Sequence, residues 1–281
     1  MNNILIIGGT GFLGRNLVKY IIKKNIFSNI VITGNSEIKL NFLKKKYSQI
    51  KLLKINVESR QDLDLLENLI IINKINFIIN AAAMKYVQIC QENIIKTLEI
   101  NTIFAQNLVN ICIRNNISNL ISISTDKANN PKNVYGMSKY MMELITLNNG
   151  YKIYKGVNFL WSDGSVLDIW YKQMKSNEEL TYADLNSIRY YNLIDEVCER
   201  IIDGFFENNN IIHNKIIYKI SLEDLMTNFM KYFNYNKSKQ IEFNEYEKDI
   251  EELDNNFMIK EITSDEIKNM IHFTYTITIN N

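Results

Sequence analysis

A doubly wound parallel α/β sheet with a smaller C-terminal cap is the architecture this sequence predicts. Three observations predict it. Short apolar runs alternate with helical patterns through the first half of the chain. The runs are almost continuously apolar, as strands covered on both faces must be. The first run passes directly into a glycine-rich turn that opens a helix.

The expected elements follow in order. Residues 3–7 are a strand and 12–24 a helix; 30–33 are a second strand, followed by a helix over 36–47. Residues 51–55 form a third strand and 59–73 a helix. Residues 76–79 form the fourth strand, with helix then running to about Asn115. Residues 119–123 form the fifth strand, 134–147 a helix, and 152–154 the start of a sixth strand. Beyond that the pattern becomes irregular: Asn208 to Asn210 is a polar break, 215–219 a strand and 222–233 a helix. The expected division is a nucleotide-binding domain over 1–154 and a smaller, partly interleaved substrate-binding region over 155–281.

Composition narrows the function classes. The chain has 281 residues, 46% of them hydrophobic, ample for a core. Lys and Arg total 32 against 31 Asp and Glu, so no charge excess calls for nucleic acid or an anionic membrane. Only two histidines occur, His213 and His272, which disfavours a multi-histidine metal site; no metal is expected. Cys90, Cys112 and Cys198 are odd in number and form no CxxC pair, so they read as small buried hydrophobes in a reducing compartment. The N-terminal apolar run is broken by glycines after four residues and is no signal peptide. A cytoplasmic homo-oligomer is expected.

Four of the ten glycines fall between Gly8 and Gly14. Gly8 permits the tight turn, Gly11 lets backbone N–H groups reach a pyrophosphate, and Gly14 lets the helix pack on the sheet. Thr10, Phe12 and Leu13 complete the cradle, and the helix N-terminus faces the negative charge. A Rossmann-like site for NAD or NADP is therefore expected. The tip of the second strand, with Asn35 and Ser36, carries neither the acid that marks NAD nor an arginine for NADP, so both cofactors remain open.

The fifth strand ends in Ser124-Thr-Asp-Lys-Ala128, and Tyr135 and Lys139 follow. Tyr135 and Lys139 are i and i+4, on one helical face. A cation beside a phenol favours the phenolate, which makes Tyr135 a base for a hydroxyl proton. Tyr20/Lys24, Tyr47/Lys51, Tyr151/Lys155, Tyr171/Lys175 and Tyr235/Lys239 match the same spacing. They read as chance surface pairs, because only Tyr135 follows the fifth strand with Ser124 and Thr125 upstream.

Together the glycine pattern, Asn80-Ala-Ala-Ala83 and STDKANNPKNVYGMSK resemble the extended short-chain dehydrogenases/reductases. Within them the chain resembles the UDP-N-acetylglucosamine 4,6-dehydratases of the polysaccharide biosynthesis group. Ala81-Ala-Ala-Met-Lys-Tyr-Val87, Gly164-Ser-Val166 and Ile188 to Glu196 are similar to further segments of that group, and Glu245 to Glu251 is a fainter echo. The resemblance implies a hydro-lyase that oxidises C4, removes the C5 proton, expels the C6 hydroxyl and returns hydride to C6, for glycan biosynthesis. It implies Tyr135 and Thr125 at the C4 oxygen, Lys127 as the C5 base, Asp126 as the acid and Lys139 beside Tyr135. It implies that a tightly held cofactor also touches Asn56, Val57, Ala81, Ala82, Ala83 and Asn101, and that Lys85, Asn158, Ser165 and Arg189 contact a UDP-sugar. Lys127 is expected to be buried beside Lys139, which would depress its basicity. The chain departs from the group where arginine gives way to Asn35, Asp163 and Asn244, and aspartate to Asn56. The short form without a membrane domain resembles the subgroup that also inverts C5. A nucleotide-sugar 4-epimerase or 4-reductase, or a non-catalytic dinucleotide-binding protein, are the alternatives.

Overall fold

A computed structural model describes residues 2–242, 253 and 258–279. The first half follows the expected alternation: β1 (Asn3–Ile7), α1 (Phe12–Lys24), β2 (Asn29–Gly34), α2 (Glu37–Lys46), β3 (Lys51–Lys54), α3 (Arg60–Ile72) and β4 (Phe77–Asn80). Then come α4 (Val87–Glu92), α5 (Ile94–Leu98), a π-helical turn (Glu99–Ile103) and α6 (Phe104–Arg114). The single helix expected to reach Asn115 is thus broken. Asn93, at φ −127° and ψ 58°, leaves helical geometry between α4 and α5, and the π turn widens the next segment. Next are β5 (Asn119–Thr125), a 3₁₀ turn (Asp126–Ala128), α7 (Val134–Asn148) and β6 (Lys152–Gly156).

The remainder comprises β7 (Asn158–Phe159), α8 (Val166–Lys175), β8 (Leu180–Tyr182), β9 (Ile188–Asn192), α9 (Ile194–Gly204), β10 (Ile211–Ile212), β11 (Ile216–Ser221), α10 (Leu222–Phe233), β12 (Ser238–Gln240), β13 (Met258–Glu261) and α11 (Ser264–Ile279). Two compact units result. One holds Met1–Lys155 with Cys198–His213, the other Gly156–Val197 with Asn214–Asn281.

The first unit is built on a parallel seven-stranded sheet ordered β10-β6-β5-β4-β1-β2-β3. All of β1 is buried. Leu5, Ile7, Val31, Ile78 and Leu120 pack with Phe104, Leu108 and Val109 of α6 in one continuous core. Because chain order reverses between β1 and β4, their carboxyl ends form the crevice where doubly wound sheets bind ligands. The second unit has a four-stranded sheet, β13-β11-β9-β7, and an aromatic core in which Trp161, Trp170, Phe229 and Phe233 meet edge to face or tilted. All three cysteines are buried. No described helix is long and apolar enough to cross a membrane.

Candidate active site

The glycine turn is shaped by close approach. Gly8 has φ +77°, and a Cβ there would sit 2.7 Å from the Ala82 nitrogen. A side chain at Gly14 would meet the Gly8 oxygen and the Gly9 Cα at 2.5 Å, so α1 packs directly on the turn. At Gly11 the only neighbour would be the Gly8 oxygen at 3.3 Å, and the residue is exposed. A Cβ there would fill the cradle. Arg15 latches the turn by donating to the Thr10 carbonyl at 2.9 Å. Gly11 caps α1 without a side-chain bond, and no acidic residue occupies the first turn. The positive end of the helix dipole is left for an anion.

Along the sheet edge Ile7 is level with Thr33 on one side and Asn80 on the other. Thr33 Oγ1 and Asn80 Oδ1 are buried and hydrogen-bond to nothing in the described protein. Two unsatisfied oxygens beside the glycine cradle fit a polar ligand at the crevice. These residues fit a bound dinucleotide.

The remaining expected cofactor contacts divide. Phe12, Leu13 and Val57 are buried, and Ala81 and Ala82 half-buried, around the turn; Ala83, Asn35 and Asn56 are exposed. Ser36 caps α2 by accepting from the Lys39 N–H, and the Asn56 N–H donates to Asp62. Asn101 is buried and held by three hydrogen bonds. Its amide accepts from the Met84 N–H and donates to the Met84 carbonyl and to Ser138 Oγ, each at 2.9 Å. Both amide donors are spent inside the protein, so Asn101 braces the segment after β4 against α7.

The chemistry-bearing residues converge at the end of β5. Asn133 caps α7, its side chain accepting from the Gly136 N–H at 2.8 Å, which starts the helix one residue before Tyr135. The Thr125 hydroxyl donates to Asp126 Oδ1 at 2.8 Å and also contacts the Tyr135 phenol. Lys127 Nζ lies 3.6 Å from Asp126 Oδ1. Asp126 is buried, and its Oδ2 has no hydrogen-bond partner among the described residues. Thr125, Asp126, Lys127 and Tyr135 therefore form one cluster.

Two electrostatic expectations are corrected. Burial dominates at Tyr135 and pushes the phenol up to about 12. The cation that opposes this is Lys127, not Lys139. Lys127, expected to be buried beside Lys139, pairs with Asp126 and keeps its side chain 24% exposed. Lys139 is the depressed lysine: burial brings it down to about 8. Its Nζ finds only the Met142 sulfur at 3.8 Å within the described protein, leaving strong donors for a ligand's oxygens.

A stability effect follows. The native form gives up the Lys139 proton near pH 8, while the unfolded chain holds it to about 10.5. The unfolded state binds more protons in that window, so stability rises with pH there. The urea midpoint of the ligand-free protein is expected to climb from pH 8 to 10 relative to Lys139→Met; parallel curves would refute it.

Lys85 is exposed, with Nζ 5.4 Å from the Tyr86 ring centroid. Asn158, Ser165 and Arg189 stand in the second unit. Asn158 donates to the Tyr190 carbonyl at 3.0 Å, Arg189 lies half-buried on β9, and the Ser165 hydroxyl is buried without a partner. The segment 245–251 lies outside the described residues.

Sequence reasoning missed Glu143 and misjudged Lys155. The Tyr151/Lys155 pair reads as surface, yet Tyr151 is 7% and Lys155 8% exposed. Lys155 Nζ pairs with Glu143 Oε2 at 3.0 Å and donates to Asn129 Oδ1 at 2.7 Å. A signal existed. Ser138, Lys139, Met142, Glu143 and Thr146 fall at helical spacing on one buried face of α7. Charged residues on a core face need partners.

The model of the polysaccharide biosynthesis protein family matches residues 4–272. The chain belongs to that family. It is 30% identical over 214 residues to an uncharacterized membrane protein of Methanocaldococcus jannaschii, covering 72% of this chain and 62% of the relative. It is 27% identical over 213 residues to an inverting UDP-N-acetylglucosamine 4,6-dehydratase of Campylobacter jejuni, covering 72% and 63%. To a UDP-glucose 4-epimerase of Rickettsia typhi it is 27% identical over 209 residues, covering 69% and 60%. The match thus spans less than two thirds of these relatives' lengths. A dTDP-glucose 4,6-dehydratase of Streptomyces venezuelae, solved with NAD bound, shares the fold at TM-score 0.82 and 13% identity, covering 97% of each chain.

Proposed function

We propose that this family member is a nucleotide-sugar 4,6-dehydratase acting on UDP-N-acetylglucosamine with NAD or NADP. The reading is carried by the pair of buried Asp126 and partly exposed Lys127 beside the Tyr135 phenol. Gly8, Gly11 and Gly14 would cradle the pyrophosphate, and Lys139 would offer its ammonium to the adjoining ribose. When bound, the nicotinamide accepts the C4 hydride and later returns it to C6. Tyr135 takes the proton of the C4 hydroxyl, whose oxygen Thr125 holds. The C4 ketone acidifies the C5–H, and Lys127 removes that proton. Asp126 protonates the departing C6 hydroxyl, which leaves as water. Acid and base duty both require the pair's shared proton on the carboxyl and the amine neutral. A solvent-derived proton reaching the opposite face of C5 as hydride returns to C6 would complete the sequence and invert C5; Arg189, Asn158, Ser165 and Lys85 are proposed for the UDP-sugar.

A 4-epimerase is the second reading. It needs only Thr125, Tyr135 and Lys139, and the Rickettsia likeness favours it. Mass spectrometry of UDP-N-acetylglucosamine incubated with the protein in water and in D2O separates the two. Loss of one water with deuterium at C5 supports dehydration, and proton NMR then reads the C5 configuration. An epimer of unchanged mass supports the second reading. Lys127→Ala is expected to cut water loss by about 10²–10⁴-fold, the usual worth of a positioned base. Water loss that survives it removes the proposed role of Lys127.

Self-association is also proposed. It is supported by Met137, Tyr140, Met141 and Leu144, an exposed apolar stripe on α7 suited to burial against a second copy. Light scattering would give a monomer mass if this is wrong.

A further inference from the structure

Beneath the cluster lies a buried charged network that the proposed chemistry does not use. Glu143 is 4% exposed on α7, one helical turn beyond Lys139. Ser124, the residue before Thr125, donates to its Oε1 at 2.5 Å. Lys155 of β6 pairs with its Oε2 at 3.0 Å. The same ammonium donates to Asn129 Oδ1 at 2.7 Å, and the Asn129 N–H closes the 3₁₀ turn on the Asp126 carbonyl. One carboxylate therefore ties together α7, the end of β5, β6 and the turn that bears Asp126 and Lys127.

From this geometry we infer that Glu143, anchored by Ser124 and Lys155 and one helical turn from Lys139 on the same buried face, is a positioning residue that sets its negative charge against Lys139 and locks α7 onto the Asp126–Lys127 turn. The inference rests on the proposed use of Lys139 as a cation in that site.

The electrostatics agree in sign. Burial drives Lys139 toward neutrality, and Glu143 is the group that opposes it. Burial likewise drives Glu143 toward its acid form, opposed by the Ser124 hydrogen bond, Lys155 and Lys139. Lys155 thus supports Lys139 indirectly, by holding Glu143 ionised. The other titratable groups at this end of α7 are Asp126 and Lys127 on the turn and Cys90 on α4, which act on Tyr135. His213 Nδ1 faces the Lys155 carbonyl at 3.2 Å.

The decisive measurement is direct titration of Lys139. Protein labelled with 13C at the lysine ε-carbon is followed by NMR without substrate, the Lys139 signal being assigned by its loss in Lys139→Met. In Glu143→Gln the Lys139 midpoint is expected to fall by about one pH unit or more. Glu143→Asp, which restores the charge, should recover part of the shift. Where the protein turns over a nucleotide sugar, the alkaline limb of kcat should move down with the Lys139 midpoint. An unchanged midpoint in folded Glu143→Gln overturns the inference. If that single variant fails to fold, Glu143→Gln/Lys155→Met removes both charges and avoids a stranded partner. The lowered midpoint is expected there too, and collapse of both variants would mark the pair as purely structural and defeat the inference. The readout is independent of turnover. A lowered midpoint in a protein inert toward every nucleotide sugar defeats the proposed function and leaves the Glu143–Lys139 coupling standing.

Discussion

Replacing Tyr135 with phenylalanine is expected to lower kcat by about 10²–10⁴-fold, the range of general acid–base catalysis, with little change in cofactor retention. The substitution removes one oxygen and keeps the ring. That oxygen contacts Thr125 and lies among the charges of Lys127 and Asp126. Its proton sits on a group pushed up to about 12 by burial, so the free protein holds a neutral phenol at working pH. A neutral phenol becomes a base only when nearby positive charge draws its proton away, and a bound oxidised nicotinamide would supply such charge. Lys139, at about 8, loses its own charge above that pH. The rate should therefore fall on the alkaline side near pH 8, well before the phenol itself titrates. Turnover assays across pH 6–10 check both statements. A Tyr135→Phe protein with wild-type kcat would remove Tyr135 from the chemistry.

Gly136→Ala should be nearly as damaging, through geometry alone. A Cβ at Gly136 would stand 2.3 Å from the Lys127 carbonyl oxygen and 3.1 Å from Pro131 Cβ. The neighbour is backbone, so no side chain can swing aside. Either α7 or the Asp126–Lys127 turn must move by several tenths of an ångström. Tyr135 precedes Gly136 directly, so the shift lies between the phenol and the acid–base pair. A misplacement approaching 1 Å costs about 10²-fold in rate, and overpacking of this kind costs about 1–3 kcal/mol of stability. Steady-state kinetics and thermal unfolding test it; an alanine variant with unchanged kcat and Tm would show that the two elements are not held in contact.

These two residues show different degrees of legibility. Tyr135 was visible because spacing and order are properties of the chain: it follows the fifth strand, after Thr125, Asp126 and Lys127. The tight contact of Gly136 with Lys127 joins residues nine apart through a turn whose path no local pattern specifies. Elements were legible for the same reason as Tyr135. β1 and α1 run over the residues expected of them, since a continuous apolar run and a glycine-opened amphipathic stretch are local signals. The break at Asn93 was not, because the stretch between β4 and β5 keeps its apolar residues through a turn where the backbone leaves helical geometry.

By itself, the sequence determined the parallel α/β class, the phosphate cradle and the order of the chemical groups after the fifth strand. Each depends on residue type and spacing along the chain. Only the tertiary structure decided the charge environment. It set the phenol high rather than low, paired Lys127 with Asp126, made Lys139 the depressed lysine, and turned Lys155 from a chance surface match into the buried partner of Glu143. The physical reason is common to all four. Desolvation and Coulomb energy depend on which groups meet after the chain has folded, and those partners can come from strands far apart in sequence.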